Sequence, residues 1–168
     1  MLYMMRTIIC ATVVEKYRDI DMKYDMVTIL GPTACGKTNF ATRLAYDVGG
    51  EIISADSRQV YRGMDIGTGK DLSDYTVNGK EIPYHLIDIE DAGEKYNLYR
   101  YQNDFLVAYN KIKDNGNVPI LCGGTGLYID SLINNVNFQN TDGSAEIRQE
   151  LKTMLSEKGS DYLHDFLA

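Results

Sequence analysis

Cysteine and histidine are scarce in this 168-residue chain, with three of the first and two of the second. Cys10, Cys35 and Cys122 show no C-x-x-C spacing. An odd, scattered set excludes a zinc site and a disulfide framework and points to a reducing cytoplasm. His85 and His164 have no metal-ligand partner at useful spacing, so each is expected to be structural. Positive charge is in deficit: 17 Lys and Arg against 24 Asp and Glu leave a net charge of −7. That argues against a surface built mainly to hold nucleic acid, but not against a nucleic-acid substrate gripped by a local basic patch. The apolar N-terminal stretch "MLYMMRTIICATVV" is too short to span a bilayer and lacks a basic start and a small-residue cleavage site. No membrane association is expected. Internal repeats and low-complexity segments are also missing.

What is present is strong local pattern. "GPTACGKT", Gly31 to Thr38, fits G-x-x-x-x-G-K-[ST], the loop that wraps backbone N–H groups around phosphates. Gly31, Pro32, Thr33, Ala34, Cys35, Gly36, Lys37 and Thr38 are therefore the expected phosphate-binding residues. Gly31 and Gly36 let the backbone turn its amides inward, Lys37 reaches terminal phosphate oxygens, and the Thr38 hydroxyl is the usual Mg²⁺ ligand. Cys35 reads either as a small residue that fits the loop or as an oxidation-sensitive thiol.

The apolar run "YDMVTIL" enters the loop as a buried parallel strand. The helix that follows carries Phe40, Leu44 and Val48 at helical spacing and stops at Gly49-Gly50. "EIISA", "YHLIDI" (Tyr84 to Ile89) and "VPILCGG" read as further strands. "NLYRYQNDFLVAYNKIKDNG" and "TGLYIDSLIN" read as helices. This alternation predicts an α/β fold, a P-loop NTPase-like three-layer sandwich with a parallel sheet. Residues 22–135 form its core. Residues 1–21 read as an N-terminal extension, or as a short strand or helix packed on the domain. After a polar connector from Asn134, residues 136–168 predict two short helices, the start of a helical module.

Two strand ends carry further candidates. Asp56 ends "EIISA" beside the phosphate loop, where ligands bind in such sheets. A carboxylate there can bind Mg²⁺ or act as a general base, and it can equally cap a following helix. Pattern alone leaves these open. Arg58, Arg62 and Lys70 make the next stretch locally basic, and Gly63, Gly67 and Gly69 predict a tight, shaped loop. After "PILCGG", Thr125 stands at a helix N-cap near the same crevice. That strand end lacks the Asp with which ATPases and GTPases hold Mg²⁺.

Taken in order, "GPTACGKT", "ISADSRQVYRGMDIGTGK", "IPYHLIDI" and "VPILCGGTGLYIDSL" resemble the signatures of the tRNA dimethylallyltransferases, also called tRNA isopentenyltransferases. The resemblance runs from about Val27 to Leu132, with a weaker echo in "AEIRQELK". It implies that the loop holds the diphosphate of dimethylallyl diphosphate, with Mg²⁺ on Thr38. The prenyl group then passes to the exocyclic amine of the adenine 3′ of the tRNA anticodon. By the same resemblance Asp56 is the base that takes the amine proton, with Lys37 and Thr125 also in the catalytic set. Asp56, Ser57, Arg58, Gln59, Thr125 and Arg148 are the implied tRNA contacts. The adenine must leave its stack to reach them. A cytoplasmic monomer is expected.

The chain departs from the family pattern at Tyr84, where His often follows the Pro, and at Asp71, where Pro usually follows "GTGK". Family members also run to roughly twice this length, allowing for a substrate module. The expectation is a truncated prenyltransferase core, or a phosphate-binding remnant without turnover. An ATP-dependent small-molecule or nucleotide kinase is the competing reading.

Overall fold

Strand β2 (Met26–Leu30) of the computed structural model runs straight into the glycine loop, and helix α1 (Lys37–Val48) leaves it. The structure describes residues 7–9, 24–134 and 145–168. Strand β1 (Thr7–Ile9) precedes β2, and β3 (Gly50–Ala55) follows α1. A short 3₁₀ turn at Leu72–Tyr75 leads to a hairpin of β4 (Thr76–Val77) and β5 (Lys80–Glu81), then to β6 (Tyr84–His85). Helix α2 (Leu98–Asp114), β7 (Val118–Gly123) and α3 (Gly126–Ile133) complete the first of two compact units, 1–137 and 138–168.

The main sheet has the order β1-β2-β7-β3-β6. Every neighbouring pair in it is parallel. Alternation along the strands splits the core into two layers. Val27, Ile29, Ile52, Ile120 and Cys122 pack with Ala41, Leu44 and Ala45 of α1. Met26, Ile53, Ala55 and Leu121 pack with Tyr101, Phe105 and Ile112 of α2 and with Tyr128 and Leu132 of α3. Helices thus cover both faces, the expected three-layer sandwich. Tyr101 and Tyr109 of α2 serve this packing. Tyr101 is fully buried, stacks on Tyr128 at 3.8 Å between ring centres and donates to the Ser54 carbonyl.

The helix boundaries follow their punctuation. Gly49 closes α1 in a left-handed conformation at φ 68°. Asn97 caps α2 by accepting the Arg100 N–H at 2.9 Å, and Lys111 and Lys113 meet its negative end.

One expectation changes, and two others gain detail. The third strand covers only Tyr84–His85 rather than Tyr84 to Ile89. Leu86 and Asp88 adopt φ of 63° and 55°, which no strand permits. Asp88 turns out to reach Lys70 Nζ at 2.5 Å. At the N-terminus, β1 pairs with β2 through Thr7↔Met26 to Ile9↔Thr28, so residues 1–21 include an edge strand of the sheet. The basic excess of Arg58, Arg62 and Lys70 is not a free patch, because each has an acidic partner: Asp56, Asp91, and Asp65 with Asp88.

The second unit holds α4 (Ala145–Leu167), two helical pieces broken at Gly159, where φ is 83° and ψ 172°. Two helices were expected there. The polar connector at 135–144 lies outside the described residues.

Candidate active site

Register places three strand ends side by side. Leu30 of β2 pairs with Gly123 of β7, and Gly123 pairs with Ala55 of β3. The next residues of each strand are therefore neighbours: the phosphate loop, Gly124-Thr125 and Asp56. A parallel sheet binds its ligands along this edge. The approach is close enough to demand glycine. A Cβ on Gly123 would fall 2.2 Å from the Ala55 carbonyl oxygen.

The phosphate loop is held by backbone conformation. Ala34 and Gly36 have φ of 62° and 83°, and Gly36 serves as the N-cap of α1 without any side-chain cap. A Cβ on Gly31 would lie 3.2 Å from Cys35 Sγ. No acidic side chain occupies the first turn of α1. Its amides and positive dipole end thus stay available to an anion. Lys37 folds across the loop and donates to the Pro32 carbonyl at 2.5 Å, with Cys35 Sγ at 3.8 Å. Thr38 stands in the first turn, its carbonyl accepting the Thr42 hydroxyl at 2.6 Å.

Asp56 caps no helix, because a turn follows it. Its Oδ1 accepts the Arg58 N–H at 3.0 Å, and Arg58 Nε stands 3.7 Å away. Its side chain is 19% exposed, which leaves the carboxylate open to a ligand. Thr125 does not cap α3 with its side chain either. Its N–H donates to the Ala55 carbonyl at 3.0 Å, and its Oγ1 accepts the Ser57 N–H at 3.0 Å. Thr125 therefore clasps the chain on both sides of Asp56 and fixes where the carboxylate sits.

Gln59 turns inward. Its Oε1 accepts the Ser54 hydroxyl at 3.1 Å, and its Nε2 donates to the Thr68 and Gly69 carbonyls at 3.4 and 3.3 Å. Arg58 is half exposed at the rim. Arg148 is exposed on α4, in the second unit.

Lys70 is the buttress that the pattern did not reveal. Its side chain is 1% exposed, and its Nζ meets Asp65 at 2.7 Å, Asp88 at 2.5 Å and the Tyr61 carbonyl at 3.0 Å. Burial works to lower its pKa, and the two carboxylates outweigh it, so the ammonium is held above its ordinary range. The available signal was the lone Asp88 inside an apolar run. Elsewhere, burial pushes the Cys122 thiol up to about 12 and the Tyr128 hydroxyl to about 12. Both stay protonated near neutrality and serve as packing beneath the loops. His85 is structural: Nε2 lies 2.7 Å from Glu51 Oε2.

Among the described residues no group of three or more His, Cys, Asp or Glu is placed to hold a metal. No described helix is long and apolar enough to cross a membrane.

Comparison with known proteins agrees with this arrangement. A family model described as IPP transferase matches residues 59–168, and one described as isopentenyl transferase matches residues 24–91. The chain is 56% identical over 145 residues to tRNA dimethylallyltransferase 2 of Bacteroides fragilis, covering 86% of this chain and 46% of that protein. The full-length tRNA isopentenylpyrophosphate transferase of Bacillus halodurans superposes with a TM-score of 0.63 at 40% identity, over 84% of this chain and 46% of that one. A eukaryotic dimethylallyltransferase acting on tRNA superposes with a TM-score of 0.68 at 26% identity, over 84% and 34%. The chain thus spans about half the length of these bacterial relatives. With its phosphate loop, its Asp56 turn and its Thr125 clasp on one sheet edge, the chain belongs to the IPP transferase family.

Proposed function

We propose that the protein transfers a dimethylallyl group from dimethylallyl diphosphate to the exocyclic amine of the adenine 3′ of a tRNA anticodon. One observation carries this reading: the Leu30–Gly123–Ala55 register sets the glycine loop beside the partly exposed Asp56 carboxylate. Prenyl transfer to an amine needs both. The C–O bond to the diphosphate breaks, a C–N bond forms, and the amine loses a proton. The loop amides and Lys37 hold the negative charge that grows on the leaving diphosphate. Asp56 takes the proton, and Thr125 sets its position through the clasp on Ser57. Ser57, Arg58 and Arg148 contact the RNA, while Gln59 supports the turn from behind. Thr38 would hold Mg²⁺, which supplies charge neutralisation at the diphosphate. One hard oxygen donor suits a cation that takes one or two protein oxygens and completes its shell with phosphate and water. All these groups come from one chain, so a monomer suffices, and its substrate places it in the cytoplasm.

The reading is tested with the protein expressed from its complete reading frame, dimethylallyl diphosphate and unmodified tRNA, scoring the adenine by mass spectrometry. Asp56→Asn is expected to leave diphosphate binding intact and to lower transfer by roughly 10² or more, the worth of a positioned base. Normal turnover in Asp56→Asn would remove the base from this mechanism. Strong ATP binding with no binding of the prenyl diphosphate would overturn the reading in favour of a kinase.

A further inference from the structure

Tyr128 carries a hydroxyl that the chemistry above does not use. Its ring belongs to the core: the residue is 5% exposed and stacks on Tyr101 at 3.8 Å between ring centres, with the planes 14° apart. Among the described residues nothing hydrogen-bonds its hydroxyl. The oxygen is not sealed, because Thr28 Oγ1 is the one unpaired side-chain oxygen there that solvent cannot reach. A buried tyrosine ordinarily finds a partner for its O–H. A tyrosine whose ring is fixed by packing and whose hydroxyl stays open and unspent is preorganised to meet a ligand.

Its surroundings aim it at the strand ends. Tyr128 stands in the first turn of α3, its N–H donating to the Thr125 carbonyl at 3.0 Å. Helical side chains lean toward the N-terminus of their helix, here toward the edge that holds Thr125 and Asp56. The stacked Tyr101 donates its hydroxyl to the Ser54 carbonyl at 3.3 Å, so the pair of rings lies against the end of β3. Burial, the Tyr61 hydroxyl and the Asp56 carboxylate together hold the proton on the Tyr128 oxygen. Near neutrality it is therefore a donor. The crevice thus offers a base an acceptor, the Asp56 carboxylate, and a donor, the Tyr128 O–H. Adenine presents the complement on its Watson–Crick edge, an N6–H donor beside the N1 acceptor. Guanine presents the reverse, the O6 acceptor beside an N1–H donor. We propose that the Tyr128 hydroxyl donates to N1 of the target adenine while Asp56 receives the N6 proton, so that the two groups select adenine against guanine. This rests on the RNA substrate proposed above, and it deepens that reading by assigning the group that reads the base.

The test uses the protein from its complete reading frame and anticodon stem-loop RNAs whose target base is adenine, 1-deazaadenine or 7-deazaadenine. Each analogue lacks one ring acceptor. The unsubstituted protein is measured on adenine first: no transfer would overturn the substrate reading, and this assignment with it. Given transfer, Tyr128→Phe is expected to lower kcat/KM on adenine about tenfold, the worth of one hydrogen bond. Diphosphate affinity and melting temperature should be unchanged, because the ring stack survives and the hydroxyl has no described protein partner to lose. On 1-deazaadenine both proteins should be slow and agree within twofold, whereas on 7-deazaadenine the tenfold gap should persist. Full kcat/KM of Tyr128→Phe on adenine, or the same tenfold gap on 1-deazaadenine, would overturn the assignment alone. So would weakened diphosphate binding in Tyr128→Phe, which would show that the hydroxyl serves the anion. A fall of several degrees in melting temperature would likewise overturn it, because the hydroxyl would then serve the fold.

Discussion

The loops after β2 and β3 lie at the same sheet edge and are built on opposite plans. The phosphate loop takes its shape from glycine conformations and the start of a helix, and its N-cap has no side-chain partner. The Asp56–Lys70 loop is laced by side chains, with Gln59, Thr68 and Lys70 each tied to backbone or carboxylate. A loop that must offer its amides to a ligand cannot let its own side chains consume them. A loop that presents a carboxylate spends its remaining polar groups on holding still.

The most disruptive change strikes what the two loops share. Gly123→Ala would drive a Cβ into the Ala55 backbone. The strands must separate, at a cost of about 3 kcal/mol or more. A fall in melting temperature of about 6 to 12 °C is expected, read by calorimetry, with both loops displaced together.

Two lysines then separate the plans. Lys37→Ala should weaken diphosphate binding by about 2 kcal/mol, the loss of a charge-assisted contact, while the melting temperature stays put. Lys70→Met should do the reverse. It strands Asp65 and Asp88, which are partly exposed and so partly rescued by water. A cost of about 2 kcal/mol is expected, with diphosphate affinity per folded molecule retained. Titration calorimetry and thermal melts on the pair decide it: if Lys37→Ala unfolds the protein, the first loop is not held by backbone alone.

The smallest effect lies away from the edge. Burial works to raise the Glu51 pKa, and hydrogen bonds from His85 and Asn117 outweigh it, leaving it lowered. A depressed carboxylate stabilises the fold above its unfolded value, about 4.3, and that contribution is lost as pH falls through the folded value. Denaturant melts at pH 6 and pH 3 should therefore converge more in Glu51→Gln than in the unsubstituted chain.

The difference in plan also explains what could be read from the sequence. The shape of the glycine loop was legible, because its glycines and the helix that leaves it are encoded within a few positions. The strands and the helices of the core were legible because apolar periodicity reports burial. The second loop was legible only as a tight turn, since the ties that place it, Thr125 to Ser57 and Lys70 to Asp88, join residues 68 and 18 positions apart. Thr125 read as a helix cap because nothing local reveals that β7 lies against β3 and brings Ser57 within 3.0 Å. Asp88 read as part of a strand because its partner, Lys70, is 18 residues away. Tertiary partners overrode local propensity at both places.

The strand order has a consequence for synthesis. β7 lies between β2 and β3 although it is made after both. Some 67 residues separate Asp56 from Gly123. At the usual pace of translation the ribosome needs roughly 3 to 13 s to cross that distance. Throughout that interval β2 and β3 have no shared neighbour, and their facing edges present unpaired amides and carbonyls to other nascent chains. Asp56 and the glycine loop come side by side only when β7 slides between β2 and β3. Premature termination before Val118 would thus release a product that carries both motifs in full and joins neither to the other.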